Sequence, residues 1–216
     1  MWSLSLLFFL VPPLIVSALD GMDELYRQMM VFHVEPTKAN FDRIQELMKK
    51  NLDALAQKEN DRKALRIAIF LARVKEKYSW DIADIGSFDD LAREISQGSS
   101  DLARYVNRDD MVDPLKLDIW WRSYFATGDD KYLTKLLEQT GDLDDLKKME
   151  VDSQEDRDLF LKRVVLMSVA NGSVKFNCQH FPSVLQHVKK AVAYESNTGR
   201  KRFLEECIQS VGKDKE

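Results

Sequence analysis

Turn-forming residues are scarce in this chain. Its 216 residues include eight glycines and five prolines, and two of the prolines, Pro12 and Pro13, sit near the start. An all-β sandwich or barrel needs a turn signal about every 8–12 residues, so that class is excluded and helices remain. A basic excess is missing too. Lys and Arg number 32 against 36 Asp and Glu, for a net charge of −4, which argues against an electrostatic nucleic-acid binder. No nucleophile elbow, phosphate loop, HExxH or dinucleotide fingerprint occurs. Nothing in the pattern selects a cofactor.

Charge is absent altogether from residues 1–18, MWSLSLLFFLVPPLIVSA. The apolar run leads into Val16-Ser17-Ala18, whose small outer residues suit cleavage after Ala18. An uncleaved anchor is the rival reading. It would need about 20 apolar residues with flanking Lys or Arg, whereas Asp20 follows almost at once and Pro12-Pro13 interrupts the run. The segment therefore reads as an export signal to the periplasm or the secreted fraction, with membrane contact only if it is retained. Residues 19–211 are one domain's worth of chain, enough for a single core, and residues 212–216 read as a frayed tail.

What is present is helical rhythm, strongest in residues 113–137, DPLKLDIWWRSYFATGDDKYLTKLL. Asp113 sits where an N-cap belongs, and Pro114 follows at the first helical position, where its missing N–H costs nothing. Leu117, Trp120, Trp121, Tyr124 and Phe125 then make one wide apolar face. Gly128 can supply a left-handed stop, and Asp129 can cap a second helix facing inward through Tyr132, Leu133, Leu136 and Leu137. The result is a helical hairpin with large aromatics between its arms.

The remaining chain follows the same rhythm. Leu25, Met29, Phe32 and Met22 share a stripe that Pro36 ends. Thr37 or Asn40 can cap a helix carrying Phe41, Ile44, Leu47, Met48, Leu52 and Leu55, and residues 57–62 read as a polar connection. Residues 64–74 are apolar on most sides, which marks the most enclosed helix. Phe88, Leu91 and Ile95 lie on a short helix ended by Gly98. Leu146 and Met149 touch the core after the hairpin. A long helix opens near Ser153 and meets a break or kink at Asn171-Gly172, and two final helices follow. Phe41, Ile44 and Met48 echo the spacing of Phe88, Leu91 and Ile95, and a period of about 44–47 residues suits helix-pair repeats. Not all tetratricopeptide signature positions are met. The fold class is all-α: antiparallel helix hairpins stacked as a short α-solenoid or an irregular bundle.

The pieces YRQMMVFHVEP, LDIWWRSYFATGDDKYLTKLL and LMSVANGSVKFNCQHFPSVL resemble a family of small exported bacterial helical proteins, tetratricopeptide-like and without an assigned activity. The WWxxxFATGD pattern is the most specific part. The resemblance implies an export signal and a helix-pair fold and carries over no catalytic residue. The two cysteines depart from that family.

Those cysteines, Cys178 and Cys207, are an even count in a chain read as exported, which invites a disulfide. If two antiparallel helices follow Cys178, Cys207 returns to its vicinity; two buried thiols are the alternative. The histidines are His33, His180 and His187. A Cys178/His180 metal site would need a remote ligand, and His180 and His187 miss the usual i, i+4 spacing, so no metal centre is assigned. The Asp-rich turns at Asp109-Asp110, Asp129-Asp130 and Asp142/Asp144/Asp145 lack the calcium-loop pattern and read as helix caps. Asn171-Gly172-Ser173 is a glycosylation sequon, relevant only in a eukaryotic secretory pathway. Trp120 and Trp121 diverge by about 100° on a helix, so Trp120, Trp121 and Tyr124 are a candidate interaction surface. Two functions follow. One is a non-catalytic module binding a protein or peptide partner. The other is a small hydrolase whose carboxylates or histidines converge only in the folded chain.

Overall fold

The computed structural model describes residues 21–52, 61–110, 112–146 and 151–211. The expected export signal, the tail, and the side chains of Met22, Leu55 and Met149 lie outside the described residues, as does most of the 57–62 connection. Among the described residues there are eleven α-helices and no strand: α1 Gly21–Val31, α2 Lys38–Lys50, α3 Asp61–Tyr78, α4 Ser87–Gln97, α5 Asp101–Asn107, α6 Pro114–Thr127, α7 Asp130–Glu138, α8 Leu143–Leu146, α9 Gln154–His180, α10 Pro182–Tyr194 and α11 Thr198–Ser210. The chain is all-α. No described helix is long and apolar enough to cross a membrane.

Local chemistry sets the boundaries. The first helix tightens at its end into the 3-10 turn Phe32–Val34. Thr37 then caps α2, its Oγ1 accepting from the Asn40 N–H at 3.2 Å. Asp113 caps α6 by accepting from the Lys116 N–H at 2.8 Å, and Gly128, at φ 68°, stops that helix in the left-handed region that side chains avoid. Asp129 does not cap α7 with its side chain; its carboxylate pairs with Lys77 instead. Ser153 and Asp156 form a reciprocal capping box at the start of α9.

Two hydrophobic cores form. One gathers Leu25, Met29, Phe41, Ile44 and Met48 around α3, where Ile67 through Ala72 and Val74 are all buried. Phe32 sits in it edge-on to Phe70, with ring centroids 5.4 Å apart. The other packs Trp120, Trp121, Tyr124 and Phe125 against α7, the C-terminal half of α9, α10 and α11. Helix α6 belongs to both, through Ile119 and Ala126 on one side and its aromatics on the other. Ten of its 14 residues are buried, more than the single face its spacing implies. A solenoid unit touches only its neighbours in sequence. Here α1, α3, α7 and α9 all pack on α6, so the arrangement is an irregular bundle and not a stack of repeats.

Helix α9 runs unbroken for 27 residues through Asn171-Gly172. The expected break is absent because the Asn171 amide bonds outward, donating to the Gly141 carbonyl at 2.8 Å and accepting from the Gly141 N–H at 3.1 Å.

Candidate functional site

The interaction surface expected on Trp120, Trp121 and Tyr124 needs correction. These residues are only 3, 5 and 3 % exposed. Trp121 stacks on Phe125 at 5.7 Å and donates its indole N–H to Ser173 Oγ at 3.1 Å. Adjacent helical positions do diverge, but both indoles are taken into the second core, so neither is left at the surface.

Cys178 and Cys207 are buried free thiols close enough to act on each other: Cys207 lowers the pKa of Cys178, while Cys178 together with burial raises Cys207. The pairing joins the end of α9 to α11. Cys178 and His180 do not converge: His180 Nδ1 lies 2.8 Å from the Phe176 carbonyl, and its ring stacks on Phe176. Among the described residues no three Cys, His, Asp or Glu side chains gather as a metal set.

The Asp-rich turns hold the fold. Asp109 pairs with Lys135 and Asp110 with Arg108. Asp130 lies 3.2 Å from His187 Nδ1, without hydrogen-bond alignment. Asp142 pairs with Arg202 and accepts from the Asp144 N–H.

Sequence reasoning missed one contact altogether. His33 Nε2 lies 2.7 Å from Ser183 Oγ, across 150 residues of chain. The His33 ring lies against Tyr124 and Phe125, with ring centroids 4.8 and 5.5 Å away. Burial holds the imidazole below its ordinary pKa, with the Met30 carbonyl working weakly the other way. This favours the neutral ring that a general base requires. A nucleophilic pair also needs a third group to orient the base. Among the described residues Nδ1 makes no aligned hydrogen bond, and no carboxylate pairs with the ring.

A cleft of about 300 Å³ opens between α3, α5, α6 and α7, lined by Arg73, Glu76, Asn107, Trp120, Tyr132 and Lys135 among others. Two of its cations are held by hydrogen bonds or ion pairs, and a third, Lys131, lies over the Tyr132 ring with Nζ 4.8 Å from its centroid. Arg73 donates to Glu76 at 2.7 Å, Asn107 at 2.8 Å and Ser123 at 3.3 Å, and Lys135 pairs with Asp109. Behind it Lys116, fully buried, donates to the carbonyls of Tyr105 and Val106. These are last-turn carbonyls of α5, which lack helical partners. Burial lowers the Lys116 pKa. On α6, Asp118 is shared by Arg66 and by Arg122, whose Nε lies 3.5 Å away. Two further polar features there, Arg122 Nη1 and Tyr26 Oη, are buried without a protein partner; nothing in the fold explains them.

The feature without a structural account is a surface. In α9, none of residues 154–169 is buried, although they include Leu159, Phe160, Leu161, Val164, Val165, Leu166, Met167 and Val169. Leu161 is 58 % and Leu159 46 % exposed. A helix apolar on all sides is ordinarily an enclosed one; this half is not enclosed. Compared with protein-family models, with curated proteins and with solved structures, the chain matches none.

Proposed function

We propose that this is an exported, non-catalytic helical module that acts by binding protein, and that its working surface is the N-terminal half of α9. The observation that carries this reading is that none of eight large apolar side chains in this half of α9 is buried, with Leu159, Leu161 and Val169 exposed and the other five half-buried, although the other half of the helix is packed. Apolar side chains that a fold leaves uncovered along one element are a mark of interaction sites, and helix faces are common docking elements. Export is supported by the uncharged residues 1–18 ending in Val16-Ser17-Ala18.

A photo-crosslinking residue placed at Leu161 tests the reading in the native secreted or envelope fraction. Tyr194, which is 90 % exposed and lies on another helix, serves as the control position. A discrete protein adduct at 161 and none at 194 supports it; equal or absent labelling at both overturns it.

The Ser183–His33 contact favours a second reading, a small serine hydrolase. A fluorophosphonate probe distinguishes the two. Covalent labelling of Ser183 in the native protein, lost in His33→Ala and kept after mild changes elsewhere, would establish the hydrolase.

A further inference from the structure

Resting on the reading of α9 as a docking surface, we propose that the occupant of this face is a second copy of the chain, paired antiparallel along α9. Asp158, Leu161, Val165, Ser168, Gly172 and Lys175 follow one another at steps of 3, 4, 3, 4 and 3 residues. Such steps make a coiled-coil seam, in which alternating 3 and 4 keep every residue on one side of a helix. Five of the six are exposed, and Val165 is half-buried. Core-facing Ala170, Val174 and Asn177 occupy the opposite side.

The seam is complementary to its own reverse. In an antiparallel pair about a two-fold axis, partners have numbers with a constant sum. At a sum of 333, Asp158 meets Lys175 (158 + 175), Leu161 meets Gly172 (161 + 172) and Val165 meets Ser168 (165 + 168). Each end of the seam thus sets a carboxylate against an ammonium, twice over by symmetry. The largest apolar side chain of the seam falls opposite its only glycine, and a Cβ built at Gly172 meets nothing within 4 Å, so the space Leu161 would occupy is open. Val164 and Val169, flanking the seam, also oppose one another at the same sum. The strip spans about 25 Å at 1.5 Å per residue. An interface of one helix pair is smaller than the roughly 1,600 Å² of a standard one, so the dimer is concentration-dependent, with dissociation on the order of micromolar.

Sedimentation equilibrium of the full mature chain over a concentration series, with a zero-length carbodiimide crosslink read by mass spectrometry, tests the pairing. Within one helix Asp158 and Lys175 are about 25 Å apart, so a crosslink between them can only join two copies. The expected result is a reversible dimer carrying that crosslink. Asp158→Lys and Lys175→Asp should each weaken it roughly tenfold, the double exchange should restore it, and Gly172→Leu should abolish it with circular dichroism unchanged. A monomer at all concentrations overturns the second copy. If Leu161 then still crosslinks to a different protein, the docking surface itself stands; if Leu161 captures nothing, both fall. A dimer unaffected by all three single substitutions places the interface elsewhere and also overturns the proposal.

Discussion

The thiol of Cys178 lies close to the thiol of Cys207 where α9 ends and α11 passes. Two thiols in contact need only thiol–disulfide exchange with a small disulfide, which takes their two electrons and two protons and leaves as two thiols. Refolding in the presence of such a disulfide is expected to yield a Cys178–Cys207 bridge. It should raise stability toward denaturant by about 3–4 kcal/mol through closure of a loop of this length. Peptide mapping that recovers both cysteines still alkylatable would refute this. Cys207→Ser should abolish the gain and leave the helical content in place.

Acid should loosen the contact between α10 and the first helices. Burial among Tyr124, Phe125 and Ser183, only partly opposed by the Met30 carbonyl, holds His33 below its unfolded pKa of about 6.5. The unfolded chain therefore takes up this proton first. The stability linked to neutral His33 is complete above about pH 6.5 and is lost as pH falls through the lower folded value. Urea midpoints at stepped pH values should show this slope in the parent protein and a shallower one in His33→Gln; matching slopes would count against it.

Lys116→Met is expected to cost about 2–3 kcal/mol. Methionine fits the stem of the lysine but leaves the carbonyls of Tyr105 and Val106 buried with no donor. The loss should be local first. Amide exchange in α5 should accelerate before exchange in α3, and uniform acceleration would show that Lys116 is not acting as a helix stop.

Trp121→Ala should behave as a core deletion and not as removal of a contact surface. Truncating a tryptophan that is 5 % exposed, stacked on Phe125 and bonded to Ser173, is expected to cost about 3–5 kcal/mol. A variant as stable as the parent, measured by thermal denaturation, would mean that the indole does not pack as described.

The central hairpin was legible in the sequence because its signals are local. Asp113-Pro114 and Gly128 lie within a few residues of the backbone groups they serve, and the aromatic spacing lies on one helix. The burial of Trp120 and Trp121 together was not legible, since it depends on α9 and α10 covering a side of α6 that the spacing alone leaves open. Asn171-Gly172 was misread for a related reason. The pair has turn chemistry, but the Asn171 amide is taken by the Gly141 backbone, and a helix tolerates one exposed glycine at about 1 kcal/mol. His33 and Ser183 had no legible relation at all, because 150 residues separate them and neither belongs to a motif. The α9 surface could have been found by noticing that its first half is apolar on every side.

Helix α6 has a consequence for the order in which the chain is made. Once residue 127 has emerged, everything needed for the core around α3 exists. The other side of the same helix, with Leu117, Trp121, Tyr124 and Phe125, must wait for Val174, Val184 and Leu204. At about 5–20 residues per second, that interval is on the order of ten seconds, during which a half-finished molecule carries a naked aromatic wall. Such an intermediate is a natural client for a holding chaperone. Its exposure ends only when the last helix arrives.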